Sequence, residues 1–300
     1  MNIDKKSYVK WIYIVIPLIL WSSHAVFIRF LVNNDVGIFE LISYRSIAPL
    51  ILGIILAGKT SFRIRSLRDF APGFILLFNF LVFNTALKYI DAYLLIIMES
   101  SCFVFSLIFD RLLKMNPFFS RYSFAIYIGG ISILLIDALT NRNIFMYKGL
   151  FFAFLVSASF GLFNSTLHFI GDRKNKLVLM MLPMFLVCLP FSLMRFGSMP
   201  DTSTGYIQII QNLLLIILIS GVFQTAIPYL FWSKAAGEFA GVKLSEFSLI
   251  TIPGTFIVEY LTLGVSINIY QIAASLLLVS ANFLNFHLQA RQNKQPFQPL

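Results

Sequence analysis

The chain has 300 residues, 58% of them hydrophobic and 12% charged, with a formal net charge of +10 and a mean hydropathy of +0.83. Ordinary soluble domains are about 45–50% apolar and about 25% charged. These proportions exclude a cytosolic enzyme, a disordered chain and a disulfide-stapled secreted module, and they point to an all-α integral membrane protein. Cys102 and Cys188 both lie in apolar runs and form neither a disulfide framework nor a CxxC metal pair.

A spanning helix takes about 20 mostly apolar residues. In chain order, ten stretches qualify: 11–31, 38–57, 70–87, 92–113, 120–139, 149–170, 177–196, 207–232, 244–263 and 270–288. They are called spans 1 to 10 below. The charged opening before span 1 is followed by no small-residue cleavage site, so span 1 is expected to be a retained helix rather than a signal peptide. If the N-terminus is cytoplasmic, 17 of the 23 Lys and Arg fall in cytoplasmic loops and tails. Only Lys88, Arg142, Lys148 and Arg195 fall outside, while Arg29 and Arg45 lie within spans. This loop-by-loop alternation follows the positive-inside rule and predicts both termini on the cytoplasmic side of the inner (cytoplasmic) membrane. It also gives the positive charge a role that needs no nucleic acid.

Five spans fall in residues 1–146 and five in 147–300, which together read as one transport domain. Ala86-Leu87-Lys88-Tyr89 closes span 3 before a short turn, and Lys234-Ala235-Ala236-Gly237 closes span 8 before another. Gly129-Gly130 in span 5 is matched by Ser280-Ala281 in span 10. An odd number of spans per half puts the halves in opposite orientations. That is the inverted-repeat arrangement of secondary transporters, with a site between the halves near mid-membrane.

Several segments carry a family resemblance. Leu20-Trp21-Ser22-Ser23, ending at Arg29, resembles the Leu-Trp-Gly-Ser pattern of the first helix in EamA-type members of the drug/metabolite transporter superfamily. Tyr44-Arg45 resembles the aromatic-Arg pair of the second helix, and Ala86-Leu87-Lys88-Tyr89 the end of the third. Pro253 stands where that family has a proline in its ninth helix. The chain departs from the pattern at Ser22, in place of Gly. It departs again at Ser100-Ser101, in place of a proline, and at Lys114 and Val265, where a Glu is expected to close spans 4 and 9. The resemblance implies the ten-helix fold and transport. It leaves the substrate open, because the superfamily moves amino acids, drugs, vitamins, nucleotides and sugars.

An ionisable group at bilayer depth is costly unless paired or hydrated, so each is a candidate site residue. At 1.5 Å per residue, His24, Arg45 and Glu99 all lie about 10 Å below the outer ends of their spans. Asn84 is somewhat shallower. The expectation is a polar layer in which Arg45 and Glu99 form a buried pair beside His24 and Asn84. Two roles stay open for it: a structural lock between spans 2 and 4, or a site for substrate or proton. In span 6, Ser157, Gly161, Asn164 and His168 share one helical face, either a packing seam or a cavity wall. In span 8, Pro228 frees the carbonyl of Gln224, beside Thr225, Tyr229 and Trp232. Pro253 frees that of Leu249. These read as benign kinks or as substrate contacts. Glu246, Glu259 and His287 sit near span ends, Glu40 begins span 2, and Arg29 is expected to reach the outer interface with its charge.

The substrate-binding candidates are thus His24, Tyr44, Arg45, Asn84, Glu99, Asn164, Gln224 and Tyr229. No HExxH, GxSxG or Walker segment is present, and three scattered His make no metal set. The expectation is no enzyme, no cofactor and no metal. The expected activity is secondary, alternating-access transport of a small metabolite, an amino acid or related polar or aromatic compound. A proton or counter-substrate could be coupled, and a homodimer is compatible. Arg45, His24 and nearby Trp21 suggest an anionic end and an apolar body. The alternative is a non-transporting scaffold or sensor of the same fold.

Overall fold

The computed structural model describes residues 5–114, 120–140, 144–170, 173–196, 211, 213–237, 239, 241–264, 266 and 268–292. Among these, the regular structure is helical throughout. The helices are α1 (Lys5–Ser22), α2 (His24–Asn33), α3 (Ile38–Ala57), α4 (Ala71–Ala86), α5 (Ala92–Glu99) and α6 (Cys102–Leu112). They continue with α7 (Arg121–Thr140), α8 (Ile144–Ile170), α9 (Lys176–Phe196), a π-helical segment (Ile216–Ala226) and α10 (Ile227–Ala235). The last three are α11 (Gly241–Phe247), α12 (Thr251–Leu263) and α13 (Ile269–Gln292).

Eight stretches among the described residues are long and apolar enough to cross a bilayer: Trp11–Asn33, Ile38–Thr60, Leu67–Ala86, Ala92–Leu112, Tyr147–Leu167, Lys176–Met194, Leu213–Ala235 and Gly241–Leu263. They match spans 1–4 and 6–9. Predicted spans 5 and 10 are also helical, as α7 and α13, but are not among the eight, and the apolar part of α13 is the shorter Ile269–Asn285. The predicted start of span 8, 207–210, lies outside the described residues. Ile19, Ile55, Phe151, Leu193, Leu261 and Phe283 turn large apolar side chains outward. Such a surface suits lipid, because backbone hydrogen bonds are satisfied within each helix. The chain is a multi-pass membrane protein.

Three spans are broken in the middle, and side-chain hydroxyls mark each break. In span 1, Ser22 Oγ donates to Leu18 O at 2.9 Å and Ser23 Oγ to Leu20 O at 3.1 Å, between α1 and α2. In span 4, Ser100 Oγ donates to Ile97 O at 2.6 Å and Ser101 Oγ to Met98 O, between α5 and α6. In span 9, Ser248 Oγ donates to Ser245 O at 2.7 Å and Thr251 Oγ1 to Ser248 O at 2.6 Å, between α11 and α12. Hydroxyls bonded back to the preceding turn compete with the helix ladder and bend it. The Ser100-Ser101 pair thus breaks span 4 without a proline.

Small residues set the closest approaches. A Cβ on Gly161 of α8 would lie 2.5 Å from Cys102 O and 2.7 Å from Phe105 Cβ, so α6 rides directly on α8 there. A Cβ on Gly254 of α12 would lie 2.3 Å from Ser22 Oγ, and Thr255 Oγ1 donates to Ser22 O at 3.0 Å. Glycine at 254 is therefore what admits Ser22. Two apolar clusters form the core. One contains Ile28, Phe83, Ile96, Phe103 and Leu278. The other contains Trp21, Phe80, Phe160, Met180 and Trp232.

Candidate functional site

The broken middles of spans 1, 4 and 9 meet at a cavity where the two clusters adjoin. Trp21, His24, Asn79, Phe80, Phe83, Ile96, Glu99, Phe160, Tyr229, Ser248 and Thr251 line it. Its volume is about 30 Å³, room for a water molecule or two. Anything larger enters only when helices part. Five of its walls are aromatic rings. Trp21 packs edge-on against Phe160, Tyr229 and Trp232, with ring centres 5.0–6.1 Å apart.

Arg45 does not line this cavity. It is fully buried. Its Nε and Nη2 donate to Thr225 Oγ1 at 3.1 and 3.0 Å, and its Nη1 to His24 Nε2 at 3.3 Å. The guanidinium lies 3.8 Å over the centre of the ring of Phe80, itself a lining residue of the cavity. The expected Arg45–Glu99 pair is not formed. Among the described residues no carboxylate pairs with Arg45, whose Nε, Nη1 and Nη2 are turned to Thr225 on the π-helical segment and to His24. Arg45 ties span 2 to spans 1 and 8 instead of to span 4.

The same contacts assign the protons of His24. Arginine only donates, so Nε2 accepts, and Nδ1 carries the hydrogen that it gives to Gln224 Oε1 at 3.2 Å. The imidazole is neutral, stacked on Phe83 at 5.1 Å. Gln224 in turn donates Nε2–H to Ser23 Oγ at 3.3 Å. Its main-chain carbonyl, four residues before Pro228, accepts the Trp21 indole N–H at 3.1 Å. A carbonyl left without its helical partner thereby fastens span 1 to span 8.

The remaining candidates divide. Glu99 and Tyr229 line the cavity, and no hydrogen bond reaches the Glu99 carboxyl among the described residues. Asn84 is buried away from the lining, and neither its nitrogen nor its oxygen finds a partner among the described residues. Tyr44 is half-buried and does not line the cavity. Asn164 is a structural tie: its Nδ2 donates to Ser245 Oγ at 2.8 Å, and its Oδ1 accepts Trp232 Nε1–H at 2.9 Å. With Ser157 bonded to Met98 O and Ser101 and Gly161 against Cys102 and Phe105, these two small residues of span 6 pack against span 4. The side chain of His168 lies outside the described residues.

Reasoning from spacing noted Glu259 only as a charge near a span end and passed over Asp110. Glu259 on α12 accepts the backbone N–H of Ala92 at 2.9 Å and of Tyr93 at 2.6 Å, at the start of α5. Arg29 Nη1 joins it at 2.6 Å and also pairs with Asp91. Arg29 is thus held in a charge cluster with Asp91 and Glu259, and Glu259 at 1% exposure needs a cation. In span 4, Asp110 Oδ2 accepts the backbone N–H of Val242 at 3.1 Å, at the start of α11. Asp110 follows Tyr93 by 17 residues, and Glu259 follows Val242 by 17. Each broken span caps the other's beginning. These carboxylates stand four and six residues before Lys114 and Val265, the positions that spacing pointed to. The paired offset of 17 was the signal available in the sequence.

Among the described residues no group of three His, Cys, Asp or Glu is placed to hold a metal ion. No protein-family model matches the chain, and no curated protein matches it. One solved crystal structure, described only as that of a protein, is similar over 96% of this chain and 99% of its own, with TM-score 0.66 and 13% identity. That likeness is of fold alone.

Proposed function

We propose that this chain is a secondary carrier of the EamA-like drug/metabolite transporter type, with ten spans in two inverted five-helix repeats, moving a small metabolite across the cytoplasmic membrane by alternating access. The observation that carries this reading is the pairing of helices. Span 2 packs on span 7, span 4 on span 9, and span 5 on span 10. Span 3 packs on span 6, and span 1 on span 8. If span 1 corresponds to span 6, span 2 to 7 and so on, the first three pairs map onto themselves and the last two exchange. The span 2–span 8 contact likewise exchanges with span 7–span 3, and span 4–span 6 with span 9–span 1. The reciprocal caps of Asp110 and Glu259 obey the same exchange.

Discontinuous helices around a mid-bundle cavity also fit a carrier, because irregular backbone inside a membrane is tolerated where it lines a site. The loop charges orient both termini to the cytoplasm. On that reading the Glu259 cap lies on the outer side and the Asp110 cap on the inner side. The chain is not an enzyme on this reading, and it needs no cofactor. The test is flux. Proteoliposomes loaded with a defined mixture of amino acids, amines, nucleosides and vitamins are incubated, and the external medium is sampled by mass spectrometry. Faster release of at least one compound than from protein-free vesicles is expected. Folded protein that releases none would favour the scaffold or sensor.

A further inference from the structure

We infer that the ligand of the central cavity is an organic cation, a protonated amine on an aromatic or apolar body, with Glu99 as its counter-charge. The inference rests on the carrier reading for its transport role but on the cavity alone for its charge. The donors on the wall have already been given away inside the protein. Trp21 Nε1–H goes to Gln224 O, His24 Nδ1–H to Gln224 Oε1, and both Nδ2–H of Asn79 to Val156 O and Ser159 Oγ, each at 3.0 Å. The hydroxyl hydrogens of Ser248 and Thr251 go to Ser245 O and Ser248 O. Tyr229 O–H is the remaining side-chain donor among the lining residues described.

The acceptors on the lining that have no hydrogen-bond donor among the described residues are the two oxygens of Glu99, Asn79 Oδ1 and Thr251 Oγ1; Ser248 Oγ already meets Cys102 Sγ at 3.7 Å. A carboxylate or phosphate would find one donor there. An ammonium, with donors only, finds a carboxylate and neutral oxygens. The rings of Trp21, Phe80, Phe83, Phe160 and Tyr229 supply the rest, since aromatic faces attract cations and enclose apolar bodies. Arg45 is fully buried and not among the lining residues, its guanidinium set over the Phe80 ring with its Nε, Nη1 and Nη2 turned to Thr225 and His24. This reverses the charge expected from Arg45 and His24 in the sequence.

Four compounds with one aromatic body and different charge decide the matter: phenethylamine, phenylalanine, phenylacetate and 2-phenylethanol. Each is added to the detergent-purified full-length protein, and the melting temperature is followed, since binding to the folded state raises it. Phenethylamine is expected to raise it, with the other three weaker, and Glu99→Gln is expected to weaken phenethylamine about tenfold or more. Tighter binding of phenylalanine or phenylacetate would overturn the inference, as would no shift with any of the four. If Glu99→Gln fails to fold, the charge series in the wild type still decides, and Glu99→Asp supplies the second variant. Proteoliposome flux separates the two readings. Glu99-dependent binding without flux sinks the carrier and leaves the site. Flux of a compound with no positive charge sinks the site and leaves the carrier.

Discussion

The two ends of the crossing between spans 4 and 9 are built alike and closed differently. At one end Glu259 accepts two backbone N–H groups and the Arg29 guanidinium, and Arg29 is also paired to Asp91. At the other end Asp110 accepts a single N–H from Val242, and its Oδ1 has no partner among the described residues. Both carboxylates sit at a helix N-terminus, where negative charge is favoured. Among the described residues, only Glu259 has a cation as well. A matched geometry therefore yields one end held by charge and one held by a hydrogen bond. The Asp110 end is the cheaper to open, so a carrier in this state opens there first.

Matched neutral substitutions test the difference. Glu259→Gln leaves Arg29 with Asp91 alone and strips the charge from the α5 N-terminus. Breaking a buried pair from one side costs about 3 kcal/mol or more, read as reduced unfolding free energy in detergent. A loss below about 1 kcal/mol, the worth of a solvent-screened pair, would show that the two ends are equivalent.

Next in size is Gly254→Ala, which attacks the seating of α12, the helix that carries Glu259. The added methyl would meet Ser22, at a cost of about 2 kcal/mol for an overpacked contact. Ser22→Gly should restore most of it in a double-mutant cycle. Additive losses would show that the two residues do not meet. Trp21→Phe replaces the indole by a smaller ring and leaves the Gln224 carbonyl without its donor, the lost hydrogen bond alone costing about 1–2 kcal/mol. Because it loosens spans 1 and 8 midway between the two ends, it should leave the contrast between Glu259→Gln and Asp110→Asn unchanged.

The smallest effect is expected from Asp110→Asn, about 1 kcal/mol, since the amide oxygen can still accept from Val242. Its sharper readout is access. Cys102 is fully buried beside Ser245 and Ser248 of span 9. In a Cys188→Ala background, a membrane-permeant maleimide should label Cys102 about fivefold faster in Asp110→Asn, the rate equivalent of about 1 kcal/mol. Faster labelling in Glu259→Gln than in Asp110→Asn would reverse the assignment of the weak end.

Membrane residence, helical class and the places of eight spans were legible in the sequence. Lipid demands long apolar stretches with internally bonded backbone, and that demand is written residue by residue. That His24 would meet Arg45 and share a cavity with Glu99 was legible too, because rise per residue puts the three at one level along their spans. The pairing of charges was not. His24, Arg45 and Glu99 stand at similar heights, yet height says nothing of rotation about the helix axis. Rotation turned Arg45 to Thr225 and His24, set its guanidinium over the Phe80 ring, and left Glu99 lining the cavity. Asn164 likewise could have been wall or seam until Trp232 and Ser245 took both ends of its amide. A sequence places charges along a membrane normal. Only the packed bundle decides which charges meet, because helix rotation is set by contacts such as Gly254 on Ser22 and Gly161 on Cys102, between residues far apart in the chain.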